Sequence, residues 1–454
     1  MHNKNHNQAA YLTRKDALIK DAMTLICQGH ALALAKKTSN LFRNRQTPKH
    51  RLDVSNFNHV IDVNLEDGYV EAEAMTTFEA LVDATLSFGY LPAVVPELKS
   101  ITVGGGLSGV AIESSSFRYG LVHENIIESE ILLSDGRVIT CTKDNEHQDL
   151  FYGFPNTYGA LGYALKLKMK IIKAKPFVKL SHHLFDNPTH YFKKVNDICR
   201  DNQYKGPIAF VDGSIFAQDD LSLTLGEFID NAPYTSNYQW MSIYYRSIKN
   251  RKVDYLTTKD YIWRWDTDWF WCSKNFFMQN KVMRFLVGKW LLNSVSFWKM
   301  MHFSRNNPIA KWLLSTLMSP TETVIQDIEV PVNNAEQFHR FFHNKIGITP
   351  VWMCPVKTVN STKSYPFYAL PHETLFINFG FWDSIKSNQP IGYYNRLIEN
   401  KVQQLSGHKS LYSDVYYSEK TFWTLYDKPL YDHLKYKYDP KGHLKNWYDK
   451  IMVK

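Results

Sequence analysis

The 454-residue sequence predicts an α+β protein made of two domains. Three observations predict this class. Short segments in which apolar and polar residues alternate meet at Asp-Gly pairs, at 67–68 and at 135–136, as the strands of β-hairpins do. Residues 164–171 alternate between apolar side chains and lysines, which is typical of a half-buried strand. Residues 324–356 have the pattern of strand, helix and strand, so we expect a second α+β unit there.

The first domain is expected over residues 14–175. Residues 1–13 are polar and lack an apolar periodicity, so they are predicted to form a disordered tail. Residues 16–36 predict a helix followed by a loop, and residues 60–74 predict the first hairpin.

A helix is predicted directly after this hairpin. Thr76 and Glu79 have the spacing of a capping box, in which the two side chains satisfy the first backbone amides of a helix. Gly89 is expected to end that helix. The second hairpin is predicted over residues 128–142, and the half-buried strand over 164–171 completes the domain.

The second domain is expected over residues 176–454. Residues 176–320 are rich in aromatic side chains and irregularly patterned, and no clear element is predicted there. A strand over 324–332, a helix over 335–345 and a strand over 351–356 are predicted next. The helix is expected to turn Phe338, Phe341 and Phe342 inward.

The strand over 324–332 has two chemically different faces. Because side chains alternate along a strand, Gln326 and Ile328 would share one face, and Asp327 and Glu329 the other. Farther along, Tyr412 would share a face with residues 414 and 416. Each of these positions is open to a structural or a functional role.

Composition narrows the function classes. The chain has 12 Trp, 27 Tyr and 27 Phe, more than a core of this size needs, which suggests apolar surface in a pocket or at an interface. Its hydrophobic and charged fractions, 44% and 21%, exclude a disordered or collagen-like protein. The net charge of +9 is concentrated in residues 1–60 and 281–320, and the second of these segments contains no acid.

No segment indicates export or a membrane span. The N-terminus lacks the apolar core of a signal peptide. The longest uncharged run, residues 150–165, is interrupted by glycine and proline and is shorter than the ~20 apolar residues of a spanning helix. The five cysteines are widely spaced, without a CxxC pair, and indicate reduced thiols. We therefore expect a cytoplasmic location, with peripheral association with a membrane left open.

A glycine-rich segment is the clearest candidate for a binding site. Gly104, Gly106 and Gly109 satisfy the dinucleotide pattern GxGxxG, but the segment that follows, VAIESSSFRYG, lacks the periodicity of a helix. Two interpretations remain open. The glycines form a helix-free nest whose backbone amides bind a phosphate, or they form a tight turn between strands.

Longer segments around these glycines carry a family resemblance. PELKSITVGGGLSGVAIESSSFRYGLVHENI (96–126), LSDGRVITCT and DLFYGFPNTYGALGYALKLKMKI (149–171) resemble the PCMH-type FAD-binding domain of the vanillyl-alcohol-oxidase superfamily. More narrowly, they resemble its delta-24 sterol reductase branch, as do VIQDIEVP, TPVWMCPV and LYSDVYYSEKTFWTLYD (411–427) in the C-terminal half. The resemblance covers the chain from about residue 14. It implies a two-domain α+β fold in which a C-terminal cap, or substrate, domain covers the FAD-binding domain.

The resemblance also implies where the cofactor lies. A first flavin-binding segment falls on 102–114, where glycine amides would bind the pyrophosphate, and a second falls on 155–162. The first phosphate loop would lie at 36–43, which is shorter than in the sterol reductases and lacks their glycine. The residues assigned to FAD in this way are Thr102, Val103, Gly104, Gly105, Gly106, Leu107, Ser108, Gly109, Val110, Ala111, Ile112, Glu113, Ser114, Gly159, Gly162, Ser39 and Asn40.

Two histidine arrangements allow a functional interpretation, and the structural one is favoured for both. His30 follows a glycine, as does the histidine that tethers FAD in some oxidases of the superfamily, but the sterol reductase branch lacks this tether. We therefore expect FAD to be bound non-covalently. His339 and His343 are one helical turn apart, but no HExxH carboxylate accompanies them, so no metal is predicted.

Two aromatic segments are candidates for contact with an apolar ligand. Residues 261–272, YIWRWDTDWFWC, form either a buried element with solvated acids or the wall of a flat apolar substrate pocket, and the family's cap domain favours the wall. Residues 281–320 have the composition of an interfacial helix on anionic lipid, and equally of a buried helix pair whose cations reach solvent. A nucleic-acid partner is disfavoured because long apolar runs interrupt the cations.

The resemblance implies an FAD-dependent oxidoreductase that reduces a C=C bond of a sterol or isoprenoid-type lipid. Reduced FAD would supply the hydride and NADPH would be the source of reducing equivalents. The candidate proton donors are Tyr412, Tyr416 and Asp327. Two alternatives remain: an FAD-dependent oxidase or dehydrogenase of a sugar or polyol hydroxyl, and a non-catalytic flavin- or lipid-binding protein at a membrane surface.

Overall fold

A computed structural model describes residues 2–36, 42–43, 48–306, 320–359 and 363–452. Its strands form two large antiparallel sheets and one small parallel pair, and helices cover them. The predicted α+β class is confirmed. The chain passes from the first large sheet to the second between Lys173 and Phe177.

The first sheet has the strand order β3-β4-β8-β6-β7, with β5 paired to another part of β8. Both predicted hairpins are present, as β3–β4 and β6–β7, and Gly68 and Gly136 have the positive φ that their turns require. The elements in chain order are α1 (His2–Cys27), β1 (Leu34–Ala35), β2 (Leu52–Asp53), β3 (Val60–Asn64), β4 (Tyr69–Glu73), α2 (Phe78–Leu86), β5 (Tyr90–Pro92), α3 (Val103–Ser108), α4 (Ser116–Tyr119), β6 (Ile126–Leu132), β7 (Val138–Thr142), α5 (Gln148–Gly153) and β8 (Tyr163–Lys173).

The expected disordered tail at residues 1–13 is wrong for the residues described, because α1 begins at His2. Tyr11 is fully buried, and its hydroxyl donates a hydrogen bond to Glu130 of β6 at 2.8 Å. Arg14 pairs with Glu73 of β4 at 2.5 Å. Carboxylates of the sheet hold this polar helix in place, so its own composition does not reveal that it is ordered.

The start of α2 also differs from the prediction. The N-cap is Thr77, whose hydroxyl accepts a hydrogen bond from the Ala80 N–H at 3.2 Å. The hydroxyl of Thr76 donates instead to the backbone oxygen of His59. Because Thr76 is tied to the neighbouring strand region, the helix starts one residue later than the capping-box pattern predicts.

The glycine-rich segment forms a short helix, α3, so it is neither a helix-free nest nor a simple turn. Thr102 caps it by accepting a hydrogen bond from the Gly105 N–H at 3.1 Å. The helix packs closely on the end of β4, and a Cβ atom at position 104 would lie 2.8 Å from the Cβ atom of Ala74. Glycine permits this close approach, which the GxGxxG pattern alone does not indicate.

The second sheet has eight antiparallel strands in the order β12-β9-β11-β10-β14-β15-β13-β16. Short 3₁₀ turns lie at Val122–Asn125 in the first half of the chain, and at Asp266–Asp268 and Cys272–Phe276 in the second. The remaining elements are β9 (Phe177–Phe185), α6 (Pro188–Asn202), β10 (Ile208–Ala217), β11 (Asp220–Ile229), α7 (Tyr244–Ser247), β12 (Val253–Thr257), α8 (Thr258–Ile262), α9 (Lys281–Val287), α10 (Ser294–Asn306), β13 (Thr321–Pro331), α11 (Val332–Lys345), β14 (Val351–Val356), β15 (Phe376–Lys386), α12 (Tyr393–Gln404), β16 (His408–Lys409), α13 (Glu419–Leu425), α14 (Lys428–Tyr438) and α15 (Trp447–Ile451).

The strand–helix–strand prediction over 324–356 is confirmed by β13, α11 and β14. On α11, Phe338 and Phe342 are buried and Phe341 is half-buried. The two faces of β13 also differ as expected. Gln326 donates to Asn395 of α12 at 2.7 Å, whereas Asp327 points to the opposite side of the sheet.

The largest apolar core is continuous across both large sheets. It includes Leu167 of β8, Trp352 of β14 and Tyr431 of α14. Among the helices that the structure describes, none combines the length and hydropathy needed to cross a bilayer.

Candidate active site

A cavity of about 780 Å³ lies where the two sheets meet. Its wall contains the glycine-rich segment near α3, the turn before β8, and aromatic residues from the second sheet. C-terminal residues close to α15 complete it, among them Lys445 and Lys450. Residues distant in the sequence therefore face one cavity.

Most residues assigned to FAD from the sequence line this cavity. Val103, Gly106 and Leu107 instead face the core, and Ser114 shares a hydrogen bond with the Tyr261 hydroxyl at 3.0 Å. Ser39 and Asn40 lie outside the described residues. The assigned residues that line the cavity are Thr102, Gly104, Gly105, Ser108, Gly109, Val110, Ala111, Ile112, Glu113, Gly159 and Gly162.

The glycine amides at the first segment already have acceptors within the protein. The N–H groups of Gly104 and Gly106 donate to the backbone oxygens of Ala74 and Thr102, both at 2.8 Å. The Gly105 N–H donates to the Thr102 hydroxyl. An anion at this wall would share these N–H groups, so other donors are needed to hold it.

The second segment has an unusual backbone and lies close to a lysine. Tyr158, Gly159 and Gly162 all have positive φ, at 51°, 80° and 144°. The Nζ atom of Lys450 is 3.2 Å from the position that a Cβ atom on Gly159 would take. The cation is also 5.1 Å from the centre of the Tyr163 ring. This part of the wall therefore joins a tight backbone to a positive charge.

The residues around the cavity fit a flavin dinucleotide. Cations and hydroxyl groups suit a diphosphate, which is bound by charge-assisted hydrogen bonds, while the aromatic wall suits a flat ring system. The cations of the lining are Lys36, Arg43, Arg51, Lys445 and Lys450, and the hydroxyl donors near the glycines are Ser100, Thr102 and Ser108.

The aromatic wall comes partly from the Trp-rich segment at 261–272. Trp269 and Phe270 line the cavity, and both have positive φ, at 47° and 60°. Such a backbone costs ~1–2 kcal/mol for each non-glycine residue. Phe270 stacks on Trp382 of β15 with ring centres 4.4 Å apart. The interpretation as a pocket wall therefore applies to the end of the segment, while Trp265 belongs to the core.

The two acids of the same segment are buried, so the alternative interpretation of a buried element with solvated acids does not apply to them. Asp266 accepts hydrogen bonds from the Ser294 hydroxyl at 2.6 Å and from the Lys99 N–H at 3.1 Å. Asp268 pairs with Arg284 at 2.5 Å. Both carboxylates fasten the segment to elements that follow it or lie beside it.

A chain of hydrogen bonds crosses the wall between β13 and β15. Trp382 Nε1 donates to the Tyr412 hydroxyl at 2.8 Å, and that hydroxyl donates to Asp327 Oδ2 at 2.7 Å. Asn378 Nδ2 donates to Asp327 Oδ1 at 2.9 Å. The structure thus brings together two proton-donor candidates that are 85 positions apart.

Burial determines which groups of this hydrogen-bond chain hold a proton. It raises the pKa of Asp327 to about 6, although hydrogen bonds from Asn378 and Tyr412 act in the opposite direction. Burial and the nearby Asp327 carboxylate raise the pKa of Tyr412 above its usual value. The protonated and ionised forms of Asp327 are therefore both accessible near neutral pH, while Tyr412 keeps its proton.

Tyr416, the third proton-donor candidate, does not join the hydrogen-bond chain of Tyr412 and Asp327. Its ring packs against Gly392, and the Arg396 guanidinium lies 5.3 Å from the ring centre. Buried and half-buried side chains alternate along residues 411–417. Tyr412 lines the cavity, however, whereas Tyr416 lies against α12.

Sequence reasoning missed a buried ion cluster beside the cavity. Arg264 contacts Glu97 at 2.5 Å, Asp212 at 2.7 Å and Glu113 at 3.6 Å. Burial raises the pKa of Glu97 and of Glu113, both of which line the cavity. Three carboxyl groups share one guanidinium, whose single charge can compensate only one ionised carboxylate. An arginine within an aromatic run was the signal in the sequence.

The histidine candidates occupy structural positions. His30 stacks on His50 with ring centres 4.0 Å apart. On α11, His339 contacts the backbone oxygen of Gln218 at 2.8 Å and lies beside His343. Within the described parts of the chain, no three His, Cys, Asp or Glu side chains are grouped as metal ligands.

Comparisons with known proteins agree with this geometry. Residues 12–142 match the family of FAD binding domains. The chain is 26% identical over 445 residues to Delta(24)-sterol reductase of Homo sapiens, covering 94% of this chain and 82% of that protein. It is 24% identical over 488 residues to Delta(24)-sterol reductase of Pisum sativum, covering 99% and 84%. The resemblance seen in the sequence is confirmed, and the chain is an FAD-dependent oxidoreductase.

Proposed function

We propose that this protein reduces a C=C bond of a sterol or a related isoprenoid lipid, with Tyr412 as the proton donor. The hydrogen-bond chain Trp382–Tyr412–Asp327–Asn378 carries the proposal, because its first three members line the cavity that both glycine segments also line. The similarity to Delta(24)-sterol reductases supports a sterol as the substrate. The wall of Trp and Phe side chains supports a flat apolar one.

The two glycine segments, with Ser108 and Lys450, are proposed to hold FAD. FAD bound there would, when reduced, supply the hydride for one carbon of the double bond. We propose NADPH as the source of reducing equivalents. In the same proposal, residues 14–175 form the FAD-binding domain and residues 176–454 the cap.

The other carbon of the double bond must receive a proton, and the chain of hydrogen bonds supplies it. The Tyr412 hydroxyl donates its proton, and the Trp382 N–H stabilises the oxygen that then becomes negatively charged. Protonated Asp327 returns a proton to Tyr412, since the two oxygens are 2.7 Å apart. Asn378 holds the carboxyl group in place, and the aromatic wall excludes water.

A sterol resides in membranes, so the proposal includes a lipid surface as the source of the substrate. The protein would act from the cytoplasmic side as a peripheral protein.

An anaerobic titration tests this function. The purified protein should show a flavin spectrum, which NADPH should bleach. Adding a Δ24-unsaturated sterol should restore the absorbance and yield the saturated sterol, whereas the matching sterol with a saturated side chain should leave the flavin reduced. A protein without flavin, or one bleached by polyols and not reoxidised by the unsaturated sterol, would overturn the proposal.

A further inference from the structure

The part of the chain that follows the Trp-rich segment at 261–272 presents an unusually apolar surface. Nine of the 22 large apolar side chains that are exposed in the described chain lie within residues 277–303. We call this surface the α9–α10 face, and its apolar members are Phe277, Val282, Met283, Phe285, Leu286, Trp290, Leu291, Met300 and Phe303. A soluble monomer rarely exposes so many large apolar groups together.

Helix α9 has its polarity reversed relative to a helix on a water-facing surface. Its arginine, Arg284, is fully buried, while Val282, Phe285 and Leu286 are 66%, 65% and 71% exposed. Inside, the guanidinium pairs with Asp268 at 2.5 Å and donates to the backbone oxygen of Met278 at 3.1 Å. An amphipathic helix in water buries its apolar side and exposes its charges. The outward side of α9 is therefore built to meet an apolar medium.

The same segment forms the outer layer of the cavity wall. Phe297 of α10 is buried and stacks on Trp269, with ring centres 6.5 Å apart. Trp269 and Cys272 line the cavity and belong to one apolar cluster with Phe297 and Leu292. The cavity-lining Trp269 and the buried Phe297 stacked on it thus lie between the cavity and helix α10.

The charges around this face indicate what covers it. Lys281, Lys289 and Lys299 are exposed among the apolar groups, and residues 269–320 contain no acid. A second copy of the chain would bring these like charges together across a twofold axis, which is unfavourable. A bilayer with anionic headgroups receives both the apolar side chains and the lysines.

We propose that the α9–α10 face docks on an anionic bilayer and that the lipid substrate enters the cavity from there. The docking rests on the reversed polarity of α9 and on the lysines. The entry of the substrate rests in addition on the proposed function.

Vesicle flotation of the full-length flavoprotein tests the docking. Vesicles of phosphatidylcholine with phosphatidylserine should carry the wild-type protein, and vesicles of phosphatidylcholine alone should carry less. The triple variant Phe285→Ser, Leu286→Ser, Trp290→Ser should lose roughly tenfold or more in vesicle partition. Replacing Lys281, Lys289 and Lys299 with Gln should lower the partition of the protein to the anionic vesicles by roughly fivefold for each charge removed.

A matched control removes equally exposed apolar side chains elsewhere. Tyr204, Ile391 and Tyr436 are 79%, 83% and 80% exposed, and their replacement by Ser should leave vesicle partition unchanged. Thermal unfolding shows that each variant is folded. A wild-type protein that does not float, an apolar variant that floats equally well, or a wild-type dimer that the apolar variant converts to a monomer would overturn the proposal.

Turnover separates this inference from the proposed function. With sterol in detergent micelles, the apolar variant should match the wild type, and with sterol embedded in vesicles it should be at least roughly tenfold slower. Vesicle binding without turnover in either medium would overturn the function and the substrate entry but leave the docking. Equal turnover by both proteins on vesicles would overturn the substrate entry while the function stands.

Discussion

Replacing Tyr412 with Phe isolates the proposed proton transfer, because the change removes one oxygen atom and keeps the ring. A positioned general acid contributes ~10²–10⁴-fold to a rate. We therefore expect the sterol-dependent step to slow by about 100-fold or more, which corresponds to ~2.7 kcal/mol in the activation free energy. The variant also removes the hydrogen-bond partner of the Trp382 N–H and that of Asp327 Oδ2, at ~1–3 kcal/mol of folding stability per group, while Asn378 still donates to Asp327 Oδ1. Thermal unfolding measures that loss separately.

The same substitution changes the pH dependence in a defined direction. The Tyr412 hydroxyl stabilises ionised Asp327, so the pKa of Asp327 should rise above about 6 when the hydroxyl is removed. Protonated Asp327 is the form that resupplies Tyr412. The wild-type rate should therefore be high below about pH 6 and fall as the pH rises through that value. The variant lacks the hydroxyl that Asp327 resupplies, so its residual rate should lose the fall near pH 6.

Stopped-flow measurements under anaerobic conditions check these expectations. NADPH-reduced protein is mixed with the unsaturated sterol, and the return of flavin absorbance gives the rate. Reduction by NADPH does not use Tyr412 and should stay unchanged, which makes it the internal control. Because Tyr412 and Asp327 act as one unit, adding Asp327→Asn to Tyr412→Phe should cost little more than either change alone. A Phe variant reoxidised at the wild-type rate would refute the proton-donor assignment.

Two further substitutions test the cofactor wall and the buried ion cluster. In Gly104→Ala the new Cβ atom would lie 2.8 Å from the Cβ atom of Ala74, so the purified variant should contain much less FAD. The control Gly68→Ala, where a Cβ atom meets nothing within 4 Å, should retain its FAD. Equal flavin content in the two variants would contradict the role of α3. Arg264→Met leaves three buried carboxyl groups without their cation and should lower the free energy of unfolding by ~3–5 kcal/mol. Burial raises the pKa of Glu97 and of Glu113 in the folded protein, and their ionised forms lose the Arg264 cation in the variant. The loss of stability should therefore grow as the pH rises, and an equal loss at pH 6 and pH 8 would count against this account.

Local patterns predicted the parts of the fold that depend on neighbouring residues. The Asp-Gly hairpins and the two faces of β13 follow from alternation along the chain, and both are present in the structure. The sequence did not predict that residues 2–13 belong to the ordered helix α1, because ion pairs to the distant sheet, such as that of Arg14 with Glu73, hold this helix in place. The start of α2 was misplaced for a similar reason, since Thr76 is held by a neighbouring strand region.

The candidate site was predictable as a set of residues and not as an arrangement. Alternation along two separate segments made Tyr412, Tyr416 and Asp327 candidates. The contact between Tyr412 and Asp327 depends on how the segment after β16 lies against β13. Trp382 and Asn378 come from β15, whose register against β13 is a tertiary property. A single sequence contains no local signal for such pairings.

The C-terminal part of the cavity wall bears on the order of events during synthesis. Lys445 and Lys450 line the same cavity as the glycines near α3. A ribosome adding ~5–20 residues per second makes these lysines roughly 20–70 s after that helix. The first sheet can form in the meantime, but the cavity lacks these two cations until residue 450 has been added. Secure capture of the cofactor therefore follows the synthesis of the second sheet and does not take place on the first sheet alone.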